Sequence, residues 1–451
     1  MKYLWINSNK LLYPRINLYL KIIMKNIYVG ICLFFCFIVG AQLPGAEKFA
    51  KLITAETLRE HLYIYASDEF EGRETGSEGQ KKAVNYLRDF YIKHKINPGD
   101  LDKDYFQPMT LQIKRGNMGS VETENVVGIV RGSELPDEYL VITAHLDHVG
   151  YGRNGGSRGD ITDQIHNGAD DDGSGSVALL EIAKAFKKAE KRGKSPKRSV
   201  VFLHVTGEEK GLLGSKYYSE NPIYPLENTV ASLNIDMIGR IDPTRKSENR
   251  NYVYIIGSDH DSQDLHNLSE KTNTETMNIE LDYRFNDKDD PNRFYYRSDH
   301  YNFAKNGIPI IFYFSGTHED YHMPTDDPEK IEYDLLENRT RLIFHTAWNI
   351  ANRDERIVLD PKEKEFEIEV DKLDNYSGTY GIENFPLELV VYTKNNKLYM
   401  DVMGQESFEL KAVGVDTFKL EEAGVELKFN TNEKSVNFKQ GVFQRVLKKL
   451  K

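Results

Sequence analysis

Short apolar runs alternate with stretches of helical period from about residue 125 to residue 351. Asn125 to Val130, Tyr139 to Ala144, Ser199 to Val205, Val230 to Ile235, Tyr252 to Ile256 and Ile308 to Phe314 are β-branched or aromatic runs with the length of buried strands. Pro309 stands at the start of the last run, where a missing N–H is tolerated. Ser174 to Lys191, Gly211 to Ser219, His260 to Glu270, Ser298 to Lys305 and Ile331 to Ala351 carry helical spacing between and after them. Two earlier helices are predicted. One is capped by Thr54, the other runs from Gln80 to His94, and the polar stretch Ser67 to Gly76 separates them. Strand and helix in alternation predict an α/β fold: a three-layer sandwich around a mostly parallel mixed sheet. In such sheets functional groups collect at the carboxyl ends of the strands.

The pattern changes after Arg353. Residues 353–371 read as a charged linker. Residues 372–451 hold only short strand-like runs, such as Lys397 to Met403 and Val425 to Phe429, broken by turn residues such as Asn395-Asn396. They predict a small all-β domain, a barrel or sandwich. Thr272 to Arg297 is rich in Asp, Asn and Arg and has no clear period, so it is expected to act as a lid beside the site.

The start of the chain predicts its compartment. Met24-Lys25-Asn26 precedes an apolar run, Ile27 to Gly40, and then Ala41-Gln42. A basic start, an apolar stretch and a small-residue exit describe a secretory signal peptide over residues 1–41, with Met24 as a possible true start. The run is shorter than the ~20 residues of a membrane span. The protein is therefore expected to be secreted or periplasmic, with no membrane attachment after cleavage. Cys32 and Cys36 are the two cysteines of the chain and both lie in this leader, so Cys-ligated zinc and a disulfide scaffold are excluded. The leader carries five basic residues and no acidic one, so its removal takes the net charge from -11 to -16. So acidic a chain does not bind nucleic acid through a basic surface.

Candidate chemistry sits where the strands end. The strand from Tyr139 leads into His145-Leu146-Asp147, where i and i+2 share a face. His145 can bind a metal while Asp147 orients its imidazole. Asn167 to Gly175 contains Asp170-Asp171-Asp172 at a helix start. Three adjacent aspartates repel one another unless a cation is present, although carboxylates also cap helices. The strand from Ser199 ends near Glu208-Glu209. One can ligate metal and the other can act as general base. Asp236 follows the apolar run Val230 to Ile235, and His322 follows the last strand with Asp326 or a neighbouring carboxylate to orient it. Taken singly, each has a plainer reading as a surface pair, a cap or a charged turn. Taken together, four strand ends and one helix start supply two histidines and three carboxylates. That set suits two zinc ions sharing a carboxylate.

The sequence resembles the secreted di-zinc aminopeptidases of metallopeptidase family twenty-eight, the group of bacterial leucyl aminopeptidase and aminopeptidases S and Y. The resemblance rests on Ala144-His145-Leu146-Asp147-His148, Gly168 to Gly175, Gly207-Glu208-Glu209-Lys210-Gly211, Asn234-Ile235-Asp236-Met237 and Tyr321-His322 with Thr325-Asp326. Ser67-Asp68-Glu69, Glu71-Gly72-Arg73 and Ser298-Asp299-His300 extend it over about residues 50 to 350. It implies a peptidase domain over residues 42–352 with the zinc-exopeptidase sandwich. It also implies His145 and Asp236 on one zinc, Glu209 and His322 on the other, Asp171 bridging them, and a cis peptide after Asp171. Glu208 is implied as general base and Asp147 as the orienter of His145. A tyrosine among Tyr295, Tyr296, Tyr301 and Tyr321 is available to the oxyanion. The expected reaction is removal of N-terminal residues from peptides. Carboxypeptidase or dipeptidase action on the same site is the alternative. A glutaminyl cyclase, which usually uses one zinc, and a receptor-like binding module, which would lack ligands, both fit less well. Oligomeric state is not legible in the sequence.

Overall fold

The computed structural model describes residues 45–99, 104–114, 116, 118–159, 164–361, 366–382, 388–402 and 407–450. The predicted leader lies outside them. Among the described residues no helix is long and apolar enough to cross a membrane.

Nine strands form one sheet. They are β1 (Asn97–Pro98), β2 (Phe106–Ile113), β3 (Gly119–Val130), β4 (Leu135–His145), β5 (Arg198–Val205), β6 (Thr229–Ile235), β7 (Tyr252–Ile256), β8 (Glu280–Asp282) and β9 (Ile310–Phe314). Their order is β1-β3-β5-β4-β6-β9-β7-β8, with β2 paired to β3. The middle four strands, β5, β4, β6 and β9, are mutually parallel. Antiparallel pairs flank them at β3–β5 and β7–β9. The sheet is therefore mixed around a parallel centre. All eight residues of β5 and all seven of β6 are buried, as expected of central strands covered on both faces.

Seven helices are used below: α1 (Ala55–Tyr65), α2 (Glu78–His94), α3 (Gly175–Glu190), α4 (Leu213–Glu220), α5 (Gln263–Glu275), α6 (His300–Ala304) and α7 (Tyr333–Asn352). Successive strand residues point to opposite faces, so β5 serves two layers. Phe202 packs on Phe186 of α3, which stacks on Trp348 and packs at a tilt against Phe344 of α7. Val201 and Leu203 belong to the opposite cluster with Tyr218 of α4 and Phe303 of α6. Thr54 caps α1 as expected, its side chain accepting from the Thr57 N–H.

Some expected bounds moved. α5 begins at Gln263 rather than His260, because the Ser262 side chain accepts from Leu265 N and fixes the cap there. The segment Thr272 to Arg297, expected as a lid, is anchored to the sheet by two aromatic residues. Phe285 and Phe294 are buried in a cluster with Tyr254, Phe312 and Phe314. Beyond the linker, eight antiparallel strands from β10 (Gly378–Gly381) to β17 (Phe443–Lys449) close into a barrel through the β10–β17 pair. Leu389, Val391, Met400, Leu427, Val436 and Leu447 fill its interior. The barrel is thus a packed core rather than a ligand cup.

Candidate metal centre

Five of the predicted residues converge at the carboxyl ends of the parallel strands. His145 ends β4, Glu208 and Glu209 follow β5, Asp236 follows β6, and His322 lies in the loop after β9. The triple aspartate turn crosses beneath them from the start of α3. Asp171 and Asp172 are joined by a cis peptide, as the resemblance implied.

The geometry divides into two halves that share Asp171. His145 Nε2 lies 3.2 Å from Asp171 Oδ1 and 3.6 Å from Asp236 Oδ1. His322 Nε2 lies 3.0 Å from Asp171 Oδ2 and 3.2 Å from Glu209 Oε2. One carboxylate thus offers an oxygen to each histidine and carboxylate pair. His148 joins the second half, with Nδ1 2.9 Å from Glu209 Oε1 and 3.8 Å from Asp171 Oδ2. Candidate metal-holding atoms of His145, Asp171 and Asp236, and of His148, Asp171 and Glu209, lie within 4.8 Å of one another in each group. His148 is fully buried, and although its Nδ1 approaches Glu209 and Asp171 Oδ2 approaches His322, none of these close contacts has the direction of a hydrogen bond, and His148 Nε2 has no partner among the described residues. Buried polar atoms left in this way are costly unless a cation takes them up. The donor set of imidazoles and carboxylates fits zinc.

The surrounding residues fix this arrangement. The Asp172 carboxylate accepts from the backbone N–H of His145 (3.1 Å), Gly175 (2.9 Å) and Met237 (3.1 Å), tying the ends of β4 and β6 to the start of α3. Arg73 donates to the carbonyls of Asn167 and Gly168 and holds the turn from below. Ser298 donates to Asp236 Oδ2 at 2.6 Å.

Two expected orienting contacts are replaced by others. The partner of His145 Nδ1 is the backbone carbonyl of Asp147, at 3.0 Å, rather than its carboxylate. The Asp147 carboxylate instead accepts from Thr75 Oγ1 and from the Glu208 N–H, so it positions the Glu208 turn. Asp326 does not touch His322. It accepts from the N–H groups of Asp170 and Asp171, while His322 Nδ1 meets the Gly156 carbonyl at 2.7 Å. Both substitutions follow from backbone geometry that strand spacing alone does not reveal.

Electrostatics separates the two glutamates. Burial pushes Glu208 well above the usual carboxylate range, and Glu209, Asp236 and Asp299 add to the effect against the pull of His145. Burial acts on Glu209 in the same direction, but His322 and His148 outweigh it and hold Glu209 below its usual value. The histidines respond in kind. Burial opposes the charge on His322, yet Glu209 and Asp171 push it up to about 11. His145 is likewise raised well above its ordinary value by Glu208, Asp236 and Asp171 despite burial.

A pocket opens on this cluster, lined on its apolar side by Met237, Phe294, Phe312 and Phe314 and at its rim by Arg297 and Tyr321. Of the four candidate tyrosines, Tyr321 is the one that lines it; Tyr295, Tyr296 and Tyr301 line a separate crevice beside the barrel. Burial, Asp171 and Glu209 hold the Tyr321 hydroxyl well above its usual range.

A family model described as Peptidase family M28 matches residues 125–347, from β3 to the last helix of the sandwich. Aminopeptidase Y of Saccharomyces cerevisiae is 27% identical over 265 residues, covering 55% of this chain and 43% of that protein. The solved structure of the Legionella pneumophila LapA aminopeptidase shares the fold with 20% identity and a TM-score of 0.52, covering 70% of this chain and 76% of that one. The glutaminyl cyclase of Bacteroides thetaiotaomicron, solved with N-acetylhistamine bound, shares it equally well: TM-score 0.52, 17% identity, and 66% and 98% of the two chains covered. The chain spans about half or less of the length of the curated relatives it matches. The match takes in every strand end that supplies a residue of the cluster, and residues 125–347 are a peptidase family M28 domain.

Proposed function

We propose that the chain is a secreted di-zinc exopeptidase that removes N-terminal residues from peptides. The observation that carries this reading is the split of Asp171, with one oxygen toward His145 and the other toward His322. A shared carboxylate between two histidine and carboxylate pairs is an arrangement that suits two ions. His145, Asp236 and Asp171 would hold one zinc, and Asp171, Glu209 and His322 the other. When bound, the ions supply Lewis acidity and an activated water.

The chain's own groups do the rest. Glu208, whose carboxylate stays proton-hungry in its buried position, would take a proton from the attacking water and return it to the amine nitrogen as the peptide C–N bond breaks. The Asp147 carboxylate holds the Glu208 N–H and so sets the direction of that side chain. The Tyr321 hydroxyl, kept protonated, is available to donate to an oxyanion. Met237, Phe294, Phe312 and Phe314 give an apolar wall for the side chain of the residue removed. Export rests on the apolar leader before Gln42, and intact mass of the secreted protein checks it: a mature chain beginning at Gln42 is expected.

Carboxypeptidase or dipeptidase action is the second reading, and Arg297 favours it. This exposed guanidinium stands at the pocket rim over the Phe294 ring, with Tyr321 OH at 3.4 Å and no carboxylate partner among the described residues. A substrate carboxylate would suit it. One comparison separates the readings. Protein beginning at Gln42 is assayed on Leu-p-nitroanilide, with and without chelator, and on N-acetylated dipeptides. Chelator-sensitive release from the free-amine substrate supports the aminopeptidase. Cleavage confined to the blocked dipeptides moves the assignment to a carboxypeptidase.

A further inference from the structure

One turn of chain stands between the metal pocket and the barrel. Arg293, at φ 55, begins the 3-10 turn Phe294–Tyr296, and α6 follows. Phe294 and Arg297 face the metal pocket. Arg293, Tyr295, Tyr296 and Tyr301 face the other way, into a crevice of about 790 Å³ whose far wall is the barrel. The barrel reaches across this crevice through the turn Glu421-Glu422-Ala423-Gly424. The Tyr301 hydroxyl donates to Glu422 Oε1 at 2.8 Å, and Arg293 Nε donates to the Glu422 carbonyl at 3.4 Å. Gly424, at φ +61, lies so close that a Cβ there would stand 3.1 Å from Arg293 Nη1. The barrel turn therefore holds both ends of the segment 293–301. Ser298 lies within that segment, and its hydroxyl is committed to Asp236.

We propose that this barrel turn is a specificity element: by fixing Arg293 and Tyr301 it sets the position of Phe294 and Arg297 in the pocket wall, and so the size of the side chain the pocket accepts. The inference rests on the exopeptidase reading above. The apolar wall discriminates by fit, and a displacement of the aromatic ring changes which residue fills the space. Glu422 is an exposed residue of the barrel surface and is not among the residues that line the metal pocket. It is thus a positioning residue, acting through Tyr301 and Arg293.

The test compares wild type with Glu422→Ala, Glu422→Gln and Tyr301→Phe in the full mature chain. Turnover of Phe-p-nitroanilide and of Ala-p-nitroanilide is measured, with zinc content and backbone hydrogen exchange across residues 293–301. Loss of the one hydrogen bond shifts the ratio of kcat/KM values by about fivefold, chiefly in KM, and speeds exchange in the segment. Zinc content stays at the wild-type level, and Glu422→Gln, whose amide oxygen still accepts from Tyr301, stays near wild type in both readouts. An unchanged ratio, or unchanged exchange, in a folded Glu422→Ala protein overturns the proposal. A wild-type protein that cleaves neither substrate counts against the exopeptidase reading instead, and the exchange comparison still decides whether the barrel holds the wall.

Discussion

At the scale of single residues, the account turns on unequal roles for adjacent side chains. Glu208→Ala should retain its metal and lose turnover by roughly 10²- to 10⁴-fold, the usual range for a lost general base. Asp171→Ala should lose metal from both halves, since each depends on one of its oxygens; metal analysis and turnover on the two purified variants check both outcomes. The histidines add a pH dependence with a definite sign. In metal-free protein the neighbouring carboxylates raise the proton affinity of both His145 and His322. A metal needs the bare nitrogens, so zinc uptake should release protons and its affinity should rise with pH. Zinc titrations in buffers of different ionisation heat would show this as a buffer-dependent signal, and identical heats would contradict it. His145, Glu209, Asp236 and His322 were legible because each comes after an apolar run that announces a strand end, and Asp171 because it stands among three adjacent aspartates at a helix start. His148 was not. It stands three residues past a ligand, and only the fold brings its ring against Glu209. The carbonyl of Asp147 on His145, and Asp326 on the Asp170 and Asp171 amides, were hidden for a related reason: backbone groups leave no mark in the sequence.

At the scale of elements, the parallel centre was readable because buried strands are apolar throughout. The flanks were less so. β2 (Phe106–Ile113) alternates buried and exposed positions and contains Pro108, so it lacks a continuous apolar run. β8 is three half-buried residues, too short for any pattern. The aromatic contact of α3 with α7 gives a test of packing that leaves the ligands untouched. Phe186→Ala removes a fully buried ring stacked on Trp348 and facing Phe344. It should cost about 3–5 kcal/mol in chemical denaturation. A loss below about 1 kcal/mol would mean that this layer repacks freely.

At the scale of the whole molecule, the sandwich and the all-β character of the C-terminal region were both present in the hydrophobic pattern. Closure of the barrel was not, because the β10–β17 pair joins residues at the two ends of that region. Nor was the contact of Glu422 with Tyr301, separated by more than a hundred residues in the chain. Both depend on long-range geometry rather than local period. The central claim is that two ions flank one carboxylate. The most direct measurement is a crystal of zinc-loaded mature protein, with anomalous differences collected at the zinc edge. Two peaks, one between Asp171 and the His145–Asp236 pair and one between Asp171 and the Glu209–His322 pair, are the predicted result. A single peak, or density placed away from Asp171, would contradict the account.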